Sequence, residues 1–306
     1  FLQQPFNEVI ATSVMERLNI PHVSYTLFWD GDIPYSVCED FVTANTELVS
    51  AWQVMQTQKR DNDVSVYRHY LNCCEALEVP EIAHSLDQML VLDYLIANED
   101  RHQGNFGLLR NVDTLAWIGA APVFDSGSSL GYDKLASQIL SGKGIECKPF
   151  KRIHEEQLKL VTSFDWIVFE QLKDIGAVMR SVFDMAGEYV EDARKNAIIT
   201  AFRRRLEYLE QIGIRAKEAE SRLRILGTEE KNRALRKAAE YLVKEQNRLL
   251  AANGKDMEAA REKGMPQGLL DRLALNEERI RGMAEGLLEV AGADDPAGEG
   301  IQMKKR

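Results

Sequence analysis

Residues 80–97, PEIAHSLDQMLVLDYLIA, are apolar nearly all round from Met89 onward. A helix with no polar face has to lie inside the protein, so this segment is predicted to be a buried helix around which the rest of the chain is arranged. Asp93 is the one acid within its apolar stretch and needs a partner once buried. The run ends abruptly in NEDRHQGNFG, residues 98–107. Beyond it, FGLLRN and TLAWIGAAPVFD flank Asn111-Val112-Asp113 and read as a β-hairpin, and DSGSSLGYD (125–133) reads as a turn-rich loop.

Upstream, PFNEVIATSVMERL (5–18) places Phe6, Val9, Ile10, Val14 and Leu18 on one helical face, with Pro5 suited to a first turn. Two β-rich runs, 22–29 and 34–42, enclose Asp30-Gly31-Asp32 and predict another hairpin. Helix is predicted over about 46–58 and again near 63–78. Residues from 133 to about 212 read as helices interrupted by a polar loop at 141–149. The fold class expected is α+β and mostly helical.

From Gly213 the texture changes. Residues 1–212 hold 19 Lys+Arg against 31 Asp+Glu, whereas 213–306 hold 19 against 17. The stretch GTEEKNRALRKAAEYLVKEQNRLLAANGKD reads as one long helix with Thr228 as N-cap and Gly254 near its end. LNEERIRGMAEGLLEVAG reads as another, capped by Asn276. An all-helical tail is expected, with a boundary near 206/207.

Bulk properties exclude some classes. At 45% hydrophobic and 28% charged the chain is a soluble globular protein, and its net charge of −10 argues against direct nucleic-acid binding. No apolar run reaches the roughly 20 residues of a membrane span. The four cysteines, Cys38, Cys73, Cys74 and Cys147, have no metal-binding spacing and suit reduced thiols in a cytoplasmic protein. The chain starts at Phe1 without Met, which suggests an N-terminus cut from something longer.

The chemistry lies in three residues. Phosphoryl transfer needs one carboxylate to orient the attacking hydroxyl, a second to hold Mg²⁺ against the phosphates, and a further hard oxygen to complete the metal shell. Asp100 and Asn105 stand in the D-x-x-x-x-N spacing that protein kinases use, and Asp125, followed by Ser126-Gly127, comes after a hairpin as the kinase metal acid does. Chance alone produces such an Asp/Asn pair about once in a chain of this length. The buried helix before it and the hairpin and F-D-x-G after it are what give the pair meaning.

DYLIANEDRHQGNFGLLRN together with APVFDSGSSLG resembles the HipA-like protein kinases, the kinases of bacterial toxin–antitoxin systems and their stand-alone relatives. The resemblance runs from about residue 2 to about 205. It implies a protein-kinase-like C-lobe with part of an N-lobe, a chain using ATP and Mg²⁺, a protein substrate with a Ser/Thr hydroxyl, and an antitoxin partner. It gives Asp100 the role of catalytic base and Asn105 and Asp125 those of Mg²⁺ ligands. His102 falls on the motif histidine and is expected to pack the catalytic loop. Arg101 is either a solvated cation or a loop brace. Asp93 is expected to hydrogen-bond the loop backbone, and Asn98 to brace the loop likewise.

Glu8 falls where the family has a glutamate paired with an ATP-orienting lysine; an ordinary surface glutamate is the alternative. CEDFV (38–42), expected to end the second strand, falls at the hinge, where backbone groups of Glu39 and Phe41 would meet the adenine unless the segment is edge packing. A glycine-rich phosphate loop and strand lysine should precede Glu8, and no lysine occurs before Lys59. Weak nucleotide binding is therefore expected.

Residues 207–300 resemble the N-terminus of gamma-glutamyl phosphate reductase, an NADPH-dependent enzyme of proline synthesis with an aldehyde-dehydrogenase-like domain. No cysteine follows Cys147 and no dinucleotide-binding glycine turn is present, so this segment is not expected to be a reductase. The combined expectation is a kinase remnant, residues 1–206, fused to a reductase fragment, residues 207–306. The competing readings are a fragment of proline biosynthesis, a catalytically silent binding module, and a phosphatidylinositol-kinase-like enzyme, since lipid kinases share the D-R-H-x-x-N core. Nothing near the site suggests a membrane surface.

Overall fold

A computed structural model describes residues 2–79, 81–142 and 145–293. The chain divides into two compact units, Phe1–Ile214 and Arg215–Arg306.

The first unit opens with α1 (Gln4–Leu18), which buries Phe6, Ile10 and Val14 and ends where Asn19 turns left-handed. β1 (Thr26–Asp30) and β2 (Ile33–Val37) form an antiparallel hairpin whose two-residue loop contains Gly31 at φ 60. A left-handed residue is what such a tight turn requires, and glycine adopts it without strain. The second strand stops at Val37, so residues 38–42 are an extended connector and not the strand end expected from the sequence.

The predicted helix over 46–58 is also corrected. β3 (Thr46–Ser50) is a strand, and only α2 (Ala51–Met55) is helical. β3 pairs antiparallel with β4 (Gly107–Asn111), setting Val49 opposite Leu108 and Leu48 opposite Leu109; β5 (Trp117–Ala120) completes the sheet. This pairing partner lies 60 residues downstream, beyond any local pattern. Ser50 then caps α2 by accepting from the Gln53 amide at 3.4 Å. At Gly107 the backbones approach so closely that a Cβ would collide with the Val49 carbonyl.

α3 (Val66–Ala76) leads to α4 (Ile82–Ile96), the buried helix. α4 divides two hydrophobic clusters. Leu86, Met89 and Leu90 pack with Tyr70, Phe106 and Leu108, while Leu92, Leu95 and Ile96 pack with Phe6, Val14, Phe183 and Phe202. Serving both clusters explains why α4 has no polar face. The unit continues through α5 (Ala136–Ser141), α6 (His154–Leu158), α7 (Ile175–Asp184) and the first part of α8 (Asp192–Ile225), whose residues from Arg215 onward are assigned to the second unit.

In the second unit the expected single helix from Thr228 is two, α9 (Thr228–Lys244) and α10 (Gln246–Glu262). The N-cap of α9 is Gly227, with Thr228 the first helical residue, and Gly254 lies inside α10. α11 (Gln267–Leu273) and α12 (Glu277–Gly292) follow, the latter capped by Asn276 accepting from the Arg279 amide at 2.7 Å. α12 packs on α9, burying Ala239, Ile280 and Ala284. The sequence also marks ADDPAGEG (293–300) as a loop, and its residues 294–300 lie outside the described residues. Among the described residues no helix is long and apolar enough to cross a membrane.

Candidate phosphotransfer site

The site is built at the C-terminal end of α4. Ala97 adopts φ 51 and turns the chain out of the helix into residues 98–106. Asn98, fully buried, donates to the Asp93 carboxylate at 2.9 Å and accepts from the Asp100 amide at 3.0 Å.

Arg101 is the hub. Its side chain is wholly buried, which rules out the solvated alternative. It donates to Asp93 at 3.0–3.3 Å, to the Asn105 carbonyl at 3.2 Å, to the Ser126 hydroxyl at 3.0 Å and to the Phe124 carbonyl. Burial opposes the guanidinium charge, but Asp93 outweighs it and pushes the pKa above its ordinary value. Asp93 thus meets the Arg101 and Asn98 side chains, not the loop backbone expected from the sequence. A buried carboxylate is best matched by a cation that can answer both of its oxygens. His102 is exposed, and its Nδ1 accepts from the Gly104 amide at 3.0 Å; it shapes the loop turn locally and does not pack beneath it.

Asn105, Asp100 and Asp125 meet. Asn105 Nδ2 donates to Asp125 Oδ2 at 2.6 Å and to the Asp100 carbonyl at 3.3 Å. Asp125 is exposed and held at φ 54, a left-handed conformation that costs a non-glycine residue on the order of 1 kcal/mol and persists only where the surroundings impose it. Arg101, bonded on both sides of it, supplies that constraint. The Asp100 carboxylate is half exposed and accepts from Lys148 Nζ at 2.6 Å.

Lys148 was not evident from sequence, because its loop, SGKGIECKP, is merely polar and lies 48 residues away. Its placement depends on buried Gln157, which accepts from the Phe150 and Lys151 amides at 3.1 and 3.2 Å and donates to the Lys148 carbonyl at 2.8 Å. A glutamine in the middle of HEEQL gives no local sign of that role.

Glu8 is buried and pairs with no lysine among the described residues; its carboxylate accepts from the Ser126 and Gly127 amides at 3.0 and 2.7 Å. Burial, offset in part by those two amides, pushes the Glu8 carboxyl up to about 7. Glu8 therefore fixes the turn after Asp125 from α1. Glu39 is exposed in the connector, and the Phe41 ring lies against Phe124 with centroids 5.2 Å apart. Residues 38–42 are brought beside the Phe124–Asp125 turn by this aromatic contact at Phe41.

Among the described residues no cluster of three or more His, Cys, Asp or Glu could hold a metal by itself. One carboxylate, Asp125, and one amide, Asn105, suit a hard cation that keeps water and takes its remaining oxygens from phosphate. Rotating the Asn105 amide would present its oxygen in place of the nitrogen now turned to Asp125.

No family model matches the chain. The crystal structure of the Helicobacter pylori proinflammatory kinase CtkA superposes with a TM-score of 0.54 over 71% of this chain and 88% of that one, at 21% identity. The fold is kinase-like. HipA of Shewanella oneidensis, solved with HipB and operator DNA, aligns over 68% of this chain and 57% of its own at 13% identity and a TM-score of 0.39, too distant to argue from. The curated relatives are of another kind. Gamma-glutamyl phosphate reductase of Halothermothrix orenii is 48% identical over 104 residues, 33% of this chain and 25% of the relative. The Moorella thermoacetica reductase is 53% identical over 94 residues, 31% of this chain and 22% of its own. The chain spans about a quarter of the length of these relatives.

Proposed function

We propose that the Phe1–Ile214 unit is an ATP-dependent phosphotransferase acting on a Ser or Thr hydroxyl of a protein. The observation that carries this reading is the Asn105–Asp125 contact at 2.6 Å, made within one residue's reach of Asp100. A kinase-like fold in which Asn105 is bonded to both the Asp125 carboxylate and the Asp100 carbonyl supports it.

In this reading Asp100 accepts and orients the hydroxyl proton while Lys148, 2.6 Å from its carboxylate, holds that group in place. Asn105 and Asp125 would hold Mg²⁺, which would supply charge neutralisation of the phosphates. Glu8 and Arg101 position rather than react, Glu8 through the 126–127 amides and Arg101 through the carbonyls of 105 and 124. The connector at Glu39–Phe41 would border the adenine, with Phe41 and Phe124 as an apolar floor. An antitoxin-like partner and a cytoplasmic location are consistent with this reading and are proposed with it.

The test is transfer of labelled γ-phosphate from ATP to a Ser/Thr protein acceptor. Asp100→Ala is expected to lower the rate by about 10²–10⁴, and Asp125→Asn to abolish the Mg²⁺-dependent transfer. Transfer that survives both changes would remove the assignment.

For Arg215–Arg306, the 46–53% identity of the reductase relatives favours a helical element of reductase ancestry. The unit contains no cysteine, so it offers no thiolate, and no catalytic role is proposed for it.

A further inference from the structure

Behind the catalytic loop, between α4, α6 and α8, lies a cavity of about 230 Å³, and a second of about 320 Å³ shares Ile139, Ser141, Ile145 and Arg205 with it. Cavities of this size and largely apolar character are what small ligands occupy. Two polar side chains on the wall have no adequate partner. His154 is 2% exposed, and neither ring nitrogen makes a well-formed hydrogen bond, the Asn98 backbone interacting with it only weakly. A buried imidazole left so is unfavourable.

Arg205 is the second. Among the described residues its guanidinium makes one hydrogen bond, from Nε to the Leu95 carbonyl at 2.9 Å, and no ion pair. The other charges on the two walls are mostly answered. Glu99 pairs with Lys134 at 3.0 Å, Glu146 with Arg152 at 3.1 Å, and Arg204 donates to the Leu140 carbonyl at 2.9 Å. Glu155 also lines the smaller cavity and acts on Arg205 through space, without an ion pair among the described residues. Arg205, partly exposed and with no ion pair among the described residues, thus lines a largely apolar space beside a histidine without a well-formed hydrogen bond. A carboxylate is the group that a guanidinium fork binds in two places at once.

We propose that this cavity binds a small organic acid, its carboxylate on Arg205 and within reach of His154, and its apolar body against Tyr94, Ile139 and Ile145. The site is separate from Asp100, Asn105 and Asp125 and does not depend on the phosphotransfer reading. Burial pushes His154 down to about 3, so the imidazole is neutral and can donate one hydrogen bond or accept one. The adjoining wall includes Ala97 and Glu99, so an occupant would bear on the backbone leading into Asp100.

Isothermal titration of the full chain with benzoate and with benzamide, its neutral counterpart, tests this. Saturable benzoate binding at least tenfold tighter than benzamide is expected. Arg205→Gln should abolish the preference for the charged probe. Glu155→Gln, which removes a like charge from the wall, should tighten benzoate roughly fivefold. Absence of saturable benzoate binding, equal affinity for benzamide, or a Glu155→Gln affinity that is unchanged or weaker would overturn the proposal. The last two readouts hold even if Arg205→Gln does not fold.

Discussion

The two units differ most in what they bury. Phe1–Ile214 encloses Asn7, Glu8, Asp87, Asp93, Asn98, Arg101 and Gln157, and of these Asn7, Glu8, Asp87 and Arg101 are bonded to segments far away in sequence. Among the described residues Arg215–Arg306 buries a single polar side chain, Asn253, whose amide bridges the Leu273 carbonyl and the Leu275 amide at 2.8 Å each. The rest of its interior is alanine and a few aliphatic residues. Amphipathic helices can be held by patterning alone. A rim of reactive side chains cannot, because each must be fixed against solvent and against its own rotamers by neighbours that are themselves satisfied.

The strongest way to break this contrast is to remove one member of the buried pair. Asp93→Ala leaves Arg101 as an uncompensated buried cation and is expected to cost about 3–5 kcal/mol. In differential scanning calorimetry of the full chain, the transition belonging to the first unit should move down steeply while the helical tail's stays. Equal movement of both would mean the two units do not differ as described.

A medium effect comes from Glu8. Its folded carboxyl holds a proton up to about pH 7, whereas the unfolded chain loses it near the ordinary 4.5. Stability contributed by this retention is complete below about 4.5 and is lost as pH rises towards 7. His154 runs the other way. The unfolded histidine protonates near 6.5 and the folded one only near 3, so stability falls as pH drops through that window. The two slopes oppose each other between about 4.5 and 6.5, and the wild-type profile is correspondingly flat there. The difference between Glu8→Gln and wild type removes the histidine. It should grow in the variant's favour from pH 4.5 to 7, reaching at most about 3 kcal/mol, then level off. A difference that does not change with pH would place the Glu8 carboxyl at its ordinary value.

The smallest effect belongs to the tail. Asn276→Ala removes the α12 cap and should cost about 1 kcal/mol in the tail's transition alone. A larger loss would show that this unit, too, relies on more than patterned helices.

What the sequence disclosed follows the range of each interaction. α1, α3, α4 and both hairpins are written in local periodicity and turn residues, and they were legible. β3 was not, because TELVSAW fits a helix start as well as a strand and only its pairing with Leu108 and Leu109 decides. Asp100, Asn105 and Asp125 could be read from spacing, and the structure brings them together; their chemistry is what the phosphotransfer assay addresses. Arg101 was visible as a residue but not as a hub, since its bonds reach α4 and the 124–126 turn. Lys148, Gln157 and Arg205 carried no local mark at all. The error at Thr228 was a matter of one residue, that at Glu245 of a break with no glycine or proline to announce it.

Arg101 joins a helix, a loop and a turn through one planar group. Those segments are also tied by Asn98 to Asp93, by Asn105 to Asp125 and by Glu8 to the 126–127 amides, so losing the guanidinium would loosen them while leaving the Asp93 carboxylate buried without its cation.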